Sequence, residues 1–540
     1  MPNHPDHAVL LEAAQRELAE LRLAGLRDPT SWLSTSSTPA RDRLLSPEGE
    51  ERLEGAVREH RYSHEELRFV PRQLAELARA AVMSEGQRWL AGWLTSRIGI
   101  GSEARSPGRL LSWLASPMPA GYSPAQILAA YDGGLVDHAS FLVELVERAD
   151  HAHTTQLMAA EKICQPASQP DESVAAPLLI GRGARPQPPV VPRAGQVAPP
   201  PTQDPGSQLV LAEGAEIAAL LGSETPAKPT RFERAQTWLE QTDDAARELF
   251  GWLVKRVAGH PRGTLGDLVT AIRAESLDGL APPSRRFLRL AAGARRLGFE
   301  RDMTARMHGE TGHVALLPFS SCVAVAVPDN VHVVQSERDM GLLSDLAVAQ
   351  GLGEALGLAL TSPALGSPLR RPLGESVSSA FGGLFLQLRA DAGYLRAVDG
   401  FERDTAAPAA RHAAFWLLLR SRLSAALLCA AERPARSTQA QVTQLMAAAE
   451  RALGWELPRG LAALTLLSQL AQPFEAITRG CELHAALRER YDVDYYMNPR
   501  VEEVLRGAAV RGNSLTAEGF ASELGSDPAR ALPRLIELLG

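Results

Sequence analysis

The chain has 540 residues, 45% of them apolar and 22% charged, with a formal net charge of -7. This is an ordinary globular balance with room for two or three domains, and it lacks the excess of basic residues that binding to nucleic acid or to an anionic membrane usually brings. Lysine occurs only at Lys162, Lys228 and Lys255, so arginine carries nearly all the positive charge, as a genome-wide preference would produce. Cys164, Cys322, Cys429 and Cys481 form no CxxC pair, which points to buried free thiols and away from a disulfide framework or a zinc ribbon. The start lacks a basic segment followed by an apolar one, and no unbroken run of about 18 apolar residues occurs. The expectation is a soluble cytoplasmic protein that binds neither nucleic acid nor membrane.

From Ala8 onward apolar residues recur three and four apart, as in Leu10, Leu11, Ala14, Leu18 and Leu21, the spacing of one helix face. Ser63 precedes Glu66 by three residues, a capping box in which each side chain satisfies the other's backbone N–H. Ser123, Pro124 and Gln126 repeat the start signal, with proline where its missing N–H costs nothing. Residues 1–163 therefore form a helical N-terminal region. Residues 164–227 read as a proline-rich linker, with eleven prolines between Pro166 and Pro205, a composition that buries too little surface to offset the entropy of ordering. Residues 228–540 return to helical periodicity with one exception: Val323, Val325 and Val327 alternate with alanine before Pro328-Asp329-Asn330, and Val331, Val333 and Val334 follow. That pattern predicts a small β-element around a turn. Leu342, Leu346, Ala349, Leu352, Leu356 and Leu360 then mark the next helix. The fold class is mainly α.

At this helix the sequence resembles the gluzincin metallopeptidases of the thimet oligopeptidase and oligoendopeptidase group. "PFSSCVAVAVPDNVHVV" (318–334) is similar to the family's strand segment, and "QGLGEALGLAL" (350–360) to its HExGHALHxAx helix. "RRPLGESVSSAF" (370–381) resembles the helix that supplies the third zinc ligand, and "LHAALRERYDVDYYMNPRVEEVLR" (483–506) the closing helices. In such a site two histidines four apart reach one zinc ion, while the glutamate between them acts as general base on the metal-bound water. Position by position, the resemblance implies that the ligands are gone. Gln350 and Glu354 stand where the histidines belong, Gly351 where the base belongs, and Ser379 where the third-ligand glutamate belongs. The family's oxyanion-stabilising tyrosine has no counterpart either, since no tyrosine lies between Tyr394 and Tyr491.

Without ligands the attacking water would keep a pKa near ~15.7 instead of about 7. The expectation is a pseudopeptidase without a metal or other cofactor: a non-catalytic scaffold or regulator that binds a peptide or protein, an active paralogue among the candidates. The competing expectation is a peptidase with a rebuilt metal site drawing on Glu354, Glu375, His332 or His313. Against it, Glu354 and Glu375 read as polar groups left in a cleft and held by Arg370 or Arg371. His151 and His153 fall on different sides of a helix, Ser378 and Ser379 lack a glycine-flanked elbow, and Cys322 lacks a catalytic histidine at a recognisable spacing. Gly351 and Gly353 read as relics of the lost site, at about 1 kcal/mol of helix propensity each. The aromatic run from Tyr491 to Arg500 reads as packing. Residues 1–163 are either a diverged peptidase lobe or a separate interaction domain.

Overall fold

The structure is a computed structural model that describes residues 6–27, 39–78, 139–164, 229–258, 275–280, 282–312, 320–336, 341–371, 376–431, 438–454 and 474–525. The linker expected at 164–227 lies outside these residues except for Cys164, as do the Ser123 start signal, His313 and Glu375.

Helix α1 (His7–Arg27) and helix α2 (Pro47–Arg58) pack with the 70–78 helix and α3 (Ala139–Cys164) around Leu10, Leu11, Ala14, Leu53, Leu74 and Cys164. The capping box forms as its spacing requires: the Ser63 N–H donates to Glu66 Oε2 at 2.7 Å and the Glu66 N–H to Ser63 Oγ at 3.2 Å. Helices α4 (Pro229–Gln241), α5 (Asp243–Ala258) and α6 (Pro283–Arg296) lead into the sheet.

The sheet has three strands in the order β1-β3-β2: β1 (Met307–Gly312) lies parallel to β3 (Asn330–Ser336), and β2 (Ser320–Ala326) antiparallel to it. The valine-rich pair is the one the pattern predicts, with Cys322 opposite Val333 and Ala324 opposite Val331. Strand β1, "MHGETG", has no alternation and little β-branching, and only its pairing with β3 makes it a strand. One sheet face contributes Val331 and Val333 to the main core, while Val323, Val325 and Val334 meet Leu23 and Ala19 of α1. Helix α1 thus bridges the N-terminal bundle and the sheet.

Behind the sheet lie α7 (Leu342–Ala359), α8 (Val377–Arg389), α9 (Arg403–Ala431), α10 (Thr438–Leu453) and α11 (Phe474–Tyr491), followed by α12 (Pro499–Ala509) and α13 (Ala517–Glu523). Helices α7 and α9 have the length and hydropathy of membrane-crossing helices, yet 94% and 83% of their apolar windows are buried inside the protein. They are core helices. Backbones cross closely here: a Cβ on Gly353 would meet the Phe381 carbonyl, and Gly480 of α11 lies against Gly383 of α8. The identity of Gly353 therefore follows from a packing demand, in contrast to the relic expected from the sequence. A buried ionic chain fixes the same helices. Arg389 of α8 pairs with Asp345 of α7 at 2.6 Å and with Asp399, and Arg289 of α6 also pairs with Asp345. Burial works against charge on Arg389, but Asp345 and Asp399 hold its guanidinium protonated.

Replacing Gly353 with alanine sets two effects against each other: a gain of about 1 kcal/mol in helix propensity and an overpacking cost of about 1–3 kcal/mol. Because the obstacle is backbone, the cost should win. G353A is expected to unfold at lower urea concentration than the parent, and an unchanged or higher midpoint would show that α7 and α8 have room to spare.

Candidate functional site

Gln350, Gly351, Glu354 and Ser379, the positions that the resemblance aligns with a metal site, are brought together on α7 and α8. Gln350 Nε2 donates to Glu354 Oε1 at 3.1 Å, the reach expected of residues four apart on a helix. Gly351 offers no side chain. Ser379 Oγ donates to the Ser376 carbonyl at 2.7 Å, while its N–H is capped by Ser376 Oγ at 3.4 Å. Ser376 and Ser378 share a hydroxyl–hydroxyl bond of 2.8 Å. Ser379 is thus bonded within the first turn of its own helix.

Among the described residues, Glu354 is the acidic group that α7 contributes to the floor of a cavity, and burial and two arginines set its electrostatics. Burial pushes its carboxyl pKa up, opposed by the Gln350 bond and by the charges of Arg22 and Arg420. Arg420, on α9, is fully buried and stacks on Trp416 with 5.1 Å to the ring centroid. Burial pulls its pKa down to about 9, with the charge of Glu354 working the other way. Burial likewise raises the Cys322 thiol, reinforced by the charge of Glu354.

Above this floor is a cavity of about 640 Å³. Its roof is one face of α1, since Gln15, Leu18, Ala19 and Arg22 follow the i, i+3, i+4, i+7 spacing. Strand β2 forms a wall through Cys322, Val323 and Ala324. Helix α1 is fastened on both sides of the cavity: Glu12 accepts from Arg370 at 3.0 Å, Gln15 joins Gln73 and Ser367, and Arg27 pairs with Glu310 at 2.6 Å.

Three sequence expectations are corrected or relocated by this geometry. Arg370 and Arg371 do not hold Glu354. Arg371 donates to the Ala324 and Val325 carbonyls at 2.8 and 2.6 Å, where the β2 register shifts between Ala324 and Ala326, and Arg370 donates to the Val327 carbonyl at 3.0 Å just beyond the strand. His332 is no cavity residue. It sits on β3 with Nδ1 2.7 Å from Glu310 Oε1 and its ring 4.8 Å from that of His308, where burial lowers its pKa against the pull of Glu310. His153 is half-buried beside Glu76 at 3.5 Å. The aromatic run does pack: Tyr495 and Tyr496 are buried, and Tyr495 shares a 2.9 Å hydrogen bond with His484.

Sequence reasoning missed Arg22 and Arg420. An arginine inside "AAFWLLLRSRLSAALLCAA" was the available signal for Arg420, because arginine is rarely buried without a purpose. A zinc ion does not fit this residue set. Among the described residues no three His, Cys, Asp or Glu side chains form a metal-binding group, and a cation at Glu354 would face the charges of Arg22 and Arg420.

Two core helices, α7 and α8, cross beneath a three-stranded sheet in a chain otherwise helical, and this arrangement recurs in known structures. No family model matches the sequence, and no curated protein matches it. Solved structures do. Pyrococcus furiosus carboxypeptidase in an apo-Mg form overlays with a TM-score of 0.52 and 10% identity, covering 99% of each chain. PZ peptidase A with an inhibitor gives 0.54 and 10%, covering 97% of this chain and 90% of that one. A Bacillus anthracis protein of the oligoendopeptidase F type gives 0.50 and 10%, covering 96% and 87%. At this identity the likeness is one of fold.

Since Glu354 has a raised pKa in the folded protein, ionising it costs stability, and that cost grows as pH rises through the folded value. E354Q removes the cost. Its thermal midpoint relative to the parent is expected to climb between about pH 5 and about pH 8; a gap that falls with pH would mean that the carboxylate is favoured in the fold.

Proposed function

We propose that this chain is a pseudopeptidase, a non-catalytic scaffold or regulator that keeps a peptidase-like cleft and uses it to bind a peptide or a protein segment. The observation that carries this reading is the Gln350–Glu354 hydrogen bond, which joins the two positions where the resemblance places metal-binding histidines. Glycine at position 351 removes the general base, and Ser379 spends its hydroxyl on its own helix. The buried Arg420, whose charge acts on Glu354, supports the same reading, because a cation bound at Glu354 would be repelled by it.

Residues 1–163 are best read as a diverged lobe of the same architecture. Helix α1 roofs the cavity, and the overlay with the carboxypeptidase covers 99% of both chains. Candidate partners are an active paralogue or another protein that presents a peptide segment. A rebuilt metal site is the weaker reading, since His332 is engaged by Glu310 and the nearest charges to Glu354 are cationic.

The test is a panel of internally quenched peptides incubated with the full chain, with zinc, manganese or cobalt added and with a chelator in parallel. No turnover above buffer is expected in any arm. Cleavage that the chelator abolishes would overturn the proposal.

A further inference from the structure

The cavity gives little opportunity for a strand to pair with the last residues of β2, and it has the size of a small-ligand site. A peptide can bind a sheet by adding to its edge through main-chain hydrogen bonds. Strand β2 is the outer strand on the cavity side, but Arg371 already occupies its carbonyls at Ala324 and Val325, and Arg370 occupies that of Val327 just beyond it. Roofed by α1, the remaining volume of about 640 Å³ falls in the range of roughly 300–1,000 Å³ typical of small-ligand sites.

Which lining groups still have capacity decides the ligand. Gln15 and Gln73 are bonded to each other, to Ser367 and to the Pro368 carbonyl, Arg371 is committed to β2, and Glu76, the other carboxylate of the lining, faces His153 at 3.5 Å. Glu354 accepts one hydrogen bond, from Gln350, whereas a carboxylate has about four acceptor sites. On the roof, Arg22 makes no hydrogen bond or ion pair with a described residue, and its charge is felt by Glu354 below. The cavity therefore presents an acceptor of positive charge on one wall and a donor to negative charge on the opposite one. A protonated amine beside Glu354 would also relieve the burial that disfavours its carboxylate.

Building on the reading of this cleft as a binding site, we propose that the cavity takes a small zwitterion, a free amino acid or a dipeptide, with its amine on Glu354 and its carboxylate on Arg22. Both contacts are charge-assisted hydrogen bonds, each strong enough to shift affinity by about tenfold or more.

The test is calorimetric titration of the full chain with alanine, alanyl-alanine, N-acetyl-alanyl-alanine and alanyl-alanine amide. Alanyl-alanine or alanine should bind, with acetylation and amidation each weakening binding by about tenfold or more. E354Q should erase the discrimination against the acetylated form and keep that against the amide, and R22M should do the reverse; matching circular dichroism and thermal melts show that both variants fold. Equal binding of free and blocked forms, or variants that leave both ratios unchanged, would overturn the assignment. If only longer blocked peptides bind, the zwitterion assignment fails while the peptide-binding reading stands; if no probe of any length binds, both fail.

Discussion

The close crossing of α7, α8 and α11 is the constraint on which the rest of the structure depends. Gly353 meets the Phe381 carbonyl and Gly383 meets Gly480, so the helix axes are set by backbone against backbone. Side chains at such crossings cannot adjust the spacing, because no side chain intervenes. The ionic chain through Arg389, Asp345 and Arg289 adds a directional restraint, since removing one partner from a buried pair strands the others. Together these contacts hold positions 350, 354 and 379 in register although nothing in the residue set requires a metal to hold them.

The centre of the site has a charge arrangement unlike that of a metal site. A metal site gathers donors around a divalent cation. Here an amide and a carboxyl bond to each other, and a buried guanidinium stacked on Trp416 lies behind them. Gln350 and Glu354 satisfy part of each other's bonding, and the charges of Arg22 and Arg420 offset part of the cost of burying the Glu354 carboxylate. Burial still shows in the raised carboxyl of Glu354 and the lowered guanidinium of Arg420, two groups that disfavour charge separately and support it jointly.

Much of this fold was legible in the chain, and the reason differs between elements. The capping box at Ser63 and Glu66 is a local device with a local sequence rule, and it forms as that rule says. The β2–β3 hairpin announced itself through alternating valines, whereas β1 did not, because its "MHGETG" becomes a strand only through pairing with β3. The two crossing helices were visible through the family's spacing. Arg370 and Arg371 were misassigned for a related reason: a sequence shows that arginines stand near a carboxylate, but not that backbone carbonyls of an outer strand compete for them. Arg22 escaped notice because its role depends on α1 lying across the cavity, a contact between segments about 330 residues apart.

Those arginine contacts on β2 bear on more than the cavity. An outer strand with unpaired carbonyls is a template for pairing with another chain, and proteins commonly protect such edges with charge. Strand β2 is valine-rich and contains no charged residue of its own. Arg371 supplies that protection from outside the strand, by hydrogen-bonding its carbonyls directly, and Arg370 does the same for Val327 just beyond it. One pair of neighbouring residues thereby links the protection of the sheet edge to the wall of the cavity, which Arg371 also lines.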